Sequence, residues 1–250
     1  MWRHGFVVRE VVLVVRDLSR ASAFYSSLLD VEPEVSGGVA VFKLVGSSLV
    51  LEEDRRASRP PPGSSGLYHV AFLVDSVEGL AEVFRRVLGL RLPLLGLSDH
   101  GCTLAVYTMD PDYNGVEVYW DREVEACKLK TRALDPEALL GASGGSYEVS
   151  IGHIHVKVPS LEEAEEFYAG ALGMTVTERS YPGALFFSYG GYHHHVGANV
   201  WETGWGVRGA RWVKGYTGMR RYTLSPPASV SVAEGVYVDP AGHEVLVRRS

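Results

Sequence analysis

Three residues with metal-binding side chains lie on apolar segments of this chain. His69 lies in GLYHVAFLV, Glu117 in NGVEVYW and His153 in SIGHIHVKV, and each segment has the Val-rich pattern of a buried strand. Two imidazoles and one carboxylate form a ligand set that holds a divalent metal and leaves coordination positions open. The first hypothesis is therefore a metal site built from three strands.

Each of these residues also has an ordinary structural explanation. A single histidine on a strand is more often a hydrogen-bonded polar residue than a ligand, and Glu117 alone could face solvent. The apolar neighbours Val116 and Val118 make a solvent-facing strand a poor fit. The metal interpretation gains weight because His69 and His153 recur at equivalent positions of a repeat.

The elements that must position these residues recur along the chain. A strand at 7–17 is followed by the amphipathic LSRASAFYSSLL and three short strand candidates, and the same order returns from Tyr68 and again from Ile151. A fourth unit, from GMRRYTLSPP to VYVDPAGHEVLV, matches the strands of the second unit but has nearly lost its helix. We therefore predict an α+β fold of four βαβββ modules in tandem, which form two cup-shaped mixed sheets with the fourth module truncated.

Two polar segments separate the repeats. The Pro-rich segment 54–66 follows the first module, and the segment 121–148 is charged and weakly patterned. We place the domain boundary in the second segment. Residues 1–145 then hold modules one and two, and residues 146–250 hold modules three and four.

Composition narrows the classes of function. The formal net charge is -6 and the arginines are scattered, which argues against nucleic acid or a membrane surface as a partner. No apolar run approaches the ~20 residues of a spanning helix, so we expect a cytoplasmic protein. Cys102 and Cys127 fit no disulfide, zinc or redox pattern and are expected to be reduced thiols. Exposed edges on truncated modules would make a homo-oligomer unsurprising.

Four segments carry a resemblance to a known superfamily. SDHG, AVYTMDPDYNGVEVYWDR, IGHIHVKV and GGYHHHVGANVW resemble the vicinal oxygen chelate superfamily, which includes glyoxalase I, bleomycin-resistance proteins and extradiol dioxygenases. Within it, the chain looks closest to the catechol-2,3-dioxygenase group. The likeness covers nearly the whole chain and is strongest over 66–122 and 151–201. It implies paired modules that curl into cups, with metal ligands on the first and fourth strands of a module.

Applied to this sequence, the resemblance selects one set of ligand positions. They are Glu10, His69, His153 and Arg221 on first strands and Glu117 and Glu244 on fourth strands. Only the pairing of module two with module three brings together two histidines and one carboxylate. We therefore predict that modules two and three share the active cup. In the second cup, Arg221 is expected between Glu10 and Glu244, where a guanidinium could replace the charge of a metal.

The resemblance also implies an activity, an extradiol ring cleavage that depends on Fe(II). Its partners would be a small aromatic diol and dioxygen, and Mn(II) or another divalent metal suits the same ligands. Family positions give His100 and Tyr107 catalytic roles, with His100 moving protons.

Strand alternation adds candidates for substrate contact. His155 and Tyr119 share strand faces with His153 and Glu117. His194 and His195 belong to a three-histidine tract, of which alternation lets only part reach a pocket.

Three alternatives stay open at this point. The first is another metal-dependent reaction of the superfamily, such as that of a glyoxalase I-like lyase or an isomerase. Those enzymes more often use additional carboxylate or Gln ligands, and only one carboxylate is placed for this cup. The second is a non-catalytic binding protein for small molecules, which would usually lack the metal triad. The third is an enzyme that has lost its function.

Overall fold

The fold consists of two curled mixed sheets with helices packed against them. A computed structural model describes residues 4–123, 127, 130–203 and 210–249. Modules one and two form β1 (Val8–Val15), α1 (Leu18–Leu29), β2 (Glu34–Ser36), β3 (Val39–Leu44), β4 (Ser47–Glu53), β5 (Gly66–Val74), α2 (Val77–Gly89), β6 (Gly96–Asp99), β7 (Thr103–Met109) and β8 (Gly115–Asp121). A short connection follows, with β9 (Arg132–Ala133) and α3 (Pro136–Leu140).

Modules three and four complete the chain with one long helical segment and seven strands. They form β10 (Val149–Lys157), α4 (Leu161–Glu165), a π-helical continuation of α4 (Glu166–Ala171), β11 (Thr175–Glu178), β12 (Ala184–Ser188), β13 (Val196–Asn199), β14 (Gly218–Leu224), β15 (Gly235–Val238) and β16 (Glu244–Val247). Within the described part of module four there is no helix. The predicted α+β fold of repeated modules with a truncated fourth copy is confirmed.

The strand order joins modules that are not neighbours in sequence. One sheet has the order β15-β16-β14-β1-β4-β3-β2, and the other has the order β11-β12-β13-β10-β5-β8-β7-β6-β9. At their centres β1 pairs antiparallel with β14, and β5 pairs antiparallel with β10. Module one therefore shares a sheet with module four, and module two shares a sheet with module three.

The helices begin in the same way in three modules. The side chains of Asp17, Ser76 and Ser160 each accept a hydrogen bond from the backbone N–H three residues further on. Such N-caps satisfy an amide that has no partner within the helix. Each helix then buries its apolar face against a sheet, as α1 does with Tyr25 and Leu28. Three modules thus begin their helices with the same local structure. Differences in chemistry between modules must therefore come from other side chains.

Two further features bear on the expectations from sequence. Cys102 and Cys127 are joined by a disulfide, so the expectation of two reduced thiols is wrong. Their separation of 25 residues gave no signal, because the chain returns beside β6 and the turn before β7, where Lys130 donates to the His100 carbonyl. Within the described ranges, the helices are all too short or too polar to cross a membrane.

Candidate metal centre

Three adjacent strands position the predicted triad around Ala71. In the nine-stranded sheet β5 lies between β8 and β10, and Ala71 is paired with Glu117 on one side and with His153 on the other. His69 precedes Ala71 by two residues and so shares its face. Because Ala71 ends at Cβ, the three larger side chains have room to converge above it.

The triad forms a compact and buried cluster. One ligand atom from each of His69, Glu117 and His153 lies within 4.8 Å of the others. Glu117 Oε2 is 3.0 Å from His69 Nε2 and 3.5 Å from His153 Nε2. His69 Nε2 is nevertheless buried without a hydrogen-bond partner. A buried ring nitrogen and a carboxylate aimed at one point suit a shared cation better than a hydrogen bond, so the residues fit a divalent metal.

The ionisation of the triad favours the same interpretation. Burial alone would raise the pKa of Glu117, but the adjacent His153 and His69 outweigh it and hold this pKa well below its usual value. Burial lowers the pKa of His153 to about 4. The carboxylate is therefore charged and the His153 imidazole neutral near pH 7, which are the protonation states that bind a metal.

A cavity of about 480 Å³ opens above the triad. Its walls away from the metal ligands are largely aromatic and apolar, and they include Leu67, Tyr68, Val116, Phe186 and Trp201. Its volume lies within the range of small-molecule sites. A single-ring ligand can thus be enclosed next to the cluster.

Tyr107 and His100 form one hydrogen-bonded edge of this cavity. Tyr107 is paired with Glu117 across β7 and β8, and its hydroxyl lies 2.8 Å from His100 Nε2. His100 Nδ1 lies 3.0 Å from the Thr131 hydroxyl, which in turn contacts the Tyr181 hydroxyl at 2.9 Å. Burial and the Glu117 carboxylate raise the pKa of Tyr107 well above its usual value. Burial lowers the pKa of His100.

His155 and His194 line the same cavity. The Nε2 atom of His155 is buried without a hydrogen-bond partner, and burial lowers the pKa of this imidazole well below its usual value. The His155 ring lies against Gly197, where a Cβ would come within 2.9 Å of it. The His194 ring is 4.1 Å from the His153 ring, measured between centroids. Both imidazoles are placed to contact a ligand.

Tyr119 and His195 lie outside the cavity lining. Tyr119 is fully buried, and its hydroxyl contacts the Tyr192 hydroxyl at 2.7 Å. His195 Nε2 donates to the His4 carbonyl at 2.7 Å, and its Nδ1 accepts from the Tyr189 amide at 3.2 Å. With both ring nitrogens satisfied by the protein, His195 is not available to a substrate. We therefore leave Tyr119 and His195 out of the proposed substrate site.

The histidine tract departs from strand alternation because residues 192–195 form a turn and β13 begins only at Val196. As a result, His193 and His194 both face the cavity. Their Nδ1 atoms are 2.8 Å apart, and His193 Nε2 lies 3.1 Å from Asp121 Oδ1. Asp121 also accepts a hydrogen bond from the Tyr192 hydroxyl at 2.9 Å. Sequence reasoning missed Asp121 and Tyr192, which carry no motif of their own.

The fold and the buried triad are typical of one superfamily, and sequence comparison identifies the same superfamily. Residues 8–118 and 150–204 match the Glyoxalase/Bleomycin resistance protein/Dioxygenase superfamily. The chain belongs to this superfamily, so the resemblance seen in the sequence is confirmed.

Individual relatives include a catechol-2,3-dioxygenase of Bacillus subtilis (strain 168). It is 35% identical over 215 residues, which cover 76% of this chain and 73% of the relative. A candidate dioxygenase structure from the same species has a TM-score of 0.65 at 11% identity, covering 97% of this chain and 85% of that one. Glyoxalase I from Zea mays has a TM-score of 0.60 at 14% identity, covering 97% and 92%. The two structures share the fold.

Proposed function

We propose that this protein is an extradiol ring-cleaving dioxygenase that acts on a catechol-type aromatic diol through Fe(II). The observation that carries the proposal is the convergence of His69, Glu117 and His153 within 4.8 Å in the lining of a cavity of about 480 Å³. The 35% identical catechol-2,3-dioxygenase supports the choice of reaction within the superfamily.

The triad would hold the metal through two imidazole nitrogens and one carboxylate oxygen. When bound there, Fe(II) would supply the activation of a diol and dioxygen, and Mn(II) is an alternative with the same ligand preference. The protein contributes a buried pocket that keeps bulk water away from the reacting groups. Phe186 and Trp201 form part of this barrier.

Tyr107 and His100 would act on the oxygens of the diol. The raised pKa of Tyr107 keeps its hydroxyl protonated, so it can donate a hydrogen bond to a substrate oxygen. The lowered pKa of His100 leaves its imidazole neutral at pH 7, so Nε2 can take a proton from a diol hydroxyl and return it later. Thr131 orients this ring through Nδ1.

The isomerase alternative has less support. Glyoxalase I-type sites more often add carboxylate ligands, and the metal-ligand cluster found among the described residues contains one carboxylate. The structural likeness to glyoxalase I is at 14% identity and concerns the fold. A ring cleavage is therefore the better match to this ligand set.

The test is a ring-cleavage assay on protein purified without oxygen and loaded with Fe(II). We expect oxygen uptake and a ring-opened product from at least one member of a catechol panel, and no product from the metal-free protein. His100→Gln should retain the metal and lose roughly 100-fold or more in kcat, the usual scale of a lost proton-transfer partner. A fully loaded protein that cleaves no catechol would refute the proposal.

A further inference from the structure

Lys157 is the one side chain with an ammonium or guanidinium group among the described residues that line the metal cavity. It follows His153 and His155 at intervals of two on β10, so the three side chains face the same way. At about 3.3 Å per residue, its Cα lies about 13 Å along the strand from that of His153. The positive charge is thus set well apart from the metal ligands.

A second cavity of about 840 Å³ adjoins the metal cavity at Lys157. One wall of it is the proline run 60–62, and another includes Trp212. The residues that line both cavities are Leu67, Tyr113, Lys157, Trp201 and Glu202. A substituent on an aromatic ring bound above the triad would therefore have room to extend past Lys157.

Lys157 forms an ion pair with Glu202, whose side chain is exposed. Lys157 Nζ contacts Glu202 Oε2 at 3.0 Å, but the side chain of Glu202 is 55% exposed while that of Lys157 is 21% exposed. Ion pairs with an exposed member contribute little to stability. A ligand carboxylate in the cavity could therefore replace Glu202 as the partner of Lys157 at little cost in free energy.

Aromatic side chains line the same cavity as Lys157. The rings of Tyr68 and Trp201 lie 5.4 Å apart, and that of His155 is 5.4 Å from Trp201. Such a wall favours a flat apolar group, and the ammonium of Lys157 in the same lining favours an anion. The combination fits an aromatic compound with an acidic side chain.

We propose that Lys157 binds a carboxylate on the ring substituent of the substrate, and that the preferred substrates are aromatic diols with a short carboxyalkyl chain. The diol part of this proposal rests on the proposed function. Recognition of the carboxylate by Lys157 does not, and it can be measured separately.

The first experiment compares 3-(3,4-dihydroxyphenyl)propionate with its primary amide, which has nearly the same shape and no charge. We expect kcat/KM for the acid to exceed that for the amide by roughly tenfold or more, the scale of a hydrogen bond to a charged group. Lys157→Met should bring the ratio close to one, and Glu202→Gln should raise it because the competing carboxylate is gone. Lys43→Met, at an exposed ion pair on the other sheet, should leave the ratio as it is.

The second experiment removes the diol. Calorimetry with 3-phenylpropionate and 3-phenylpropionamide measures binding to wild type, Lys157→Met and Glu202→Gln at one ionic strength. Stronger binding of the acid that Lys157→Met abolishes supports the proposal, even if no catechol is cleaved. Equal binding of acid and amide by wild type, or a preference that Lys157→Met leaves intact, overturns it, even if catechols are cleaved.

Discussion

The two sheets have the same strand pairing at their centres and different side chains at the paired positions. In the nine-stranded sheet, β5 and β10 bring His69 and His153 to Glu117. In the seven-stranded sheet, β1 and β14 place Glu10 beside Arg221, with Glu10 Oε1 3.1 Å from Arg221 Nη2. Two imidazoles leave a carboxylate in need of a cation, whereas a guanidinium supplies the positive charge itself. One backbone frame thus carries a His-Glu-His cluster that could hold a metal in one sheet and an ion pair in the other.

The turn that leads into the fourth strand is similar in both sheets. In module two, Asp110 is buried and accepts hydrogen bonds from the backbone amide and the side-chain amide of Asn114, each at 2.8 Å. The Tyr25 hydroxyl of α1 lies 3.1 Å from Asp110 Oδ2. The carboxylate therefore ties the turn to a helix of another module.

Asp239 has the same place in module four. It accepts from the His243 backbone amide at 2.8 Å and lies 3.0 Å from His243 Nδ1. The hydroxyls of Tyr168 and Tyr222 also contact its Oδ2, at 3.1 and 3.2 Å. Both halves thus keep the turn that stabilises the scaffold, while the candidate metal-ligand cluster among the described residues lies in one half.

The largest expected effect on metal affinity comes from replacing one glutamate in each sheet with glutamine. Glu117→Gln should lower Fe(II) or Mn(II) affinity by more than roughly 100-fold, because even residues outside the ligand set cost 10–100-fold. Glu10→Gln removes the carboxylate of the ion pair in the other sheet and should leave metal affinity unchanged. Anaerobic metal titration of both variants checks this, and equal losses would break the comparison.

Removal of the turn carboxylates should destabilise both halves. Asp239→Ala removes the acceptor of three buried side-chain donors and one backbone amide and should cost about 3–5 kcal/mol of unfolding free energy. Asp110→Ala removes fewer side-chain partners and should cost about 2–3 kcal/mol. Urea denaturation at pH 7 measures both. A loss below about 1 kcal/mol for Asp239→Ala would show that the turn does not need its carboxylate.

Acid should lower the free energy of unfolding because His195, directly before β13 of the nine-stranded sheet, is buried as a neutral imidazole. Burial lowers its pKa to about 3, despite the hydrogen bond to the His4 carbonyl. As pH falls below the unfolded value of 6.5, the unfolded chain binds a proton that the folded chain does not, so stability falls. The loss at pH 5 relative to pH 8 is on the order of 2 kcal/mol for this group.

His195→Asn removes this contribution. The variant should be less stable than wild type at pH 8, because its contacts to the backbone are weaker. The difference should shrink by roughly 2 kcal/mol at pH 5. Urea denaturation at the two pH values gives the answer, and an unchanged difference would mean that His195 is not held neutral.

The smallest effect is expected at the ion pair of the seven-stranded sheet. The side chains of Arg221 and Glu10 are 29% and 30% exposed, and such pairs contribute about 0–1 kcal/mol. Arg221→Met should therefore change the unfolding free energy by no more than about 1 kcal/mol. Thermal unfolding of Arg221→Met measures this change. Arg55→Met, at a more exposed arginine, serves as the control. A loss above about 3 kcal/mol would give this pair a structural role equal to that of the turn carboxylates.

The repeated pattern made the convergence of His69, Glu117 and His153 predictable from sequence. His69 and His153 occupy equivalent strand positions, and Glu117 follows a turn that has a counterpart in module four. The superfamily resemblance implied the ligand positions of each module, and only the pairing of module two with module three then gave two histidines and one carboxylate. Periodicity also predicted the helices, because their apolar faces are continuous.

Contacts that depend on loops were not predictable in this way. The 193–195 tract is a turn, so strand alternation gave wrong directions for its side chains. The 25-residue separation between Cys102 and Cys127 matches no motif, and only the path of the chain brings them together. Asp121 supports His193 from 72 residues away, and sequence spacing carries no signal for such a pair.

The most direct test of a metal centre shared by modules two and three is the metal content of His153→Ala. Wild type purified without oxygen and loaded with Fe(II) should hold close to one metal per chain, since one three-residue cluster is found among the described residues. His153→Ala should bind the metal more than roughly 100-fold less tightly and lose it on desalting, while its circular dichroism stays that of wild type. A folded His153→Ala variant with full metal occupancy would contradict the account.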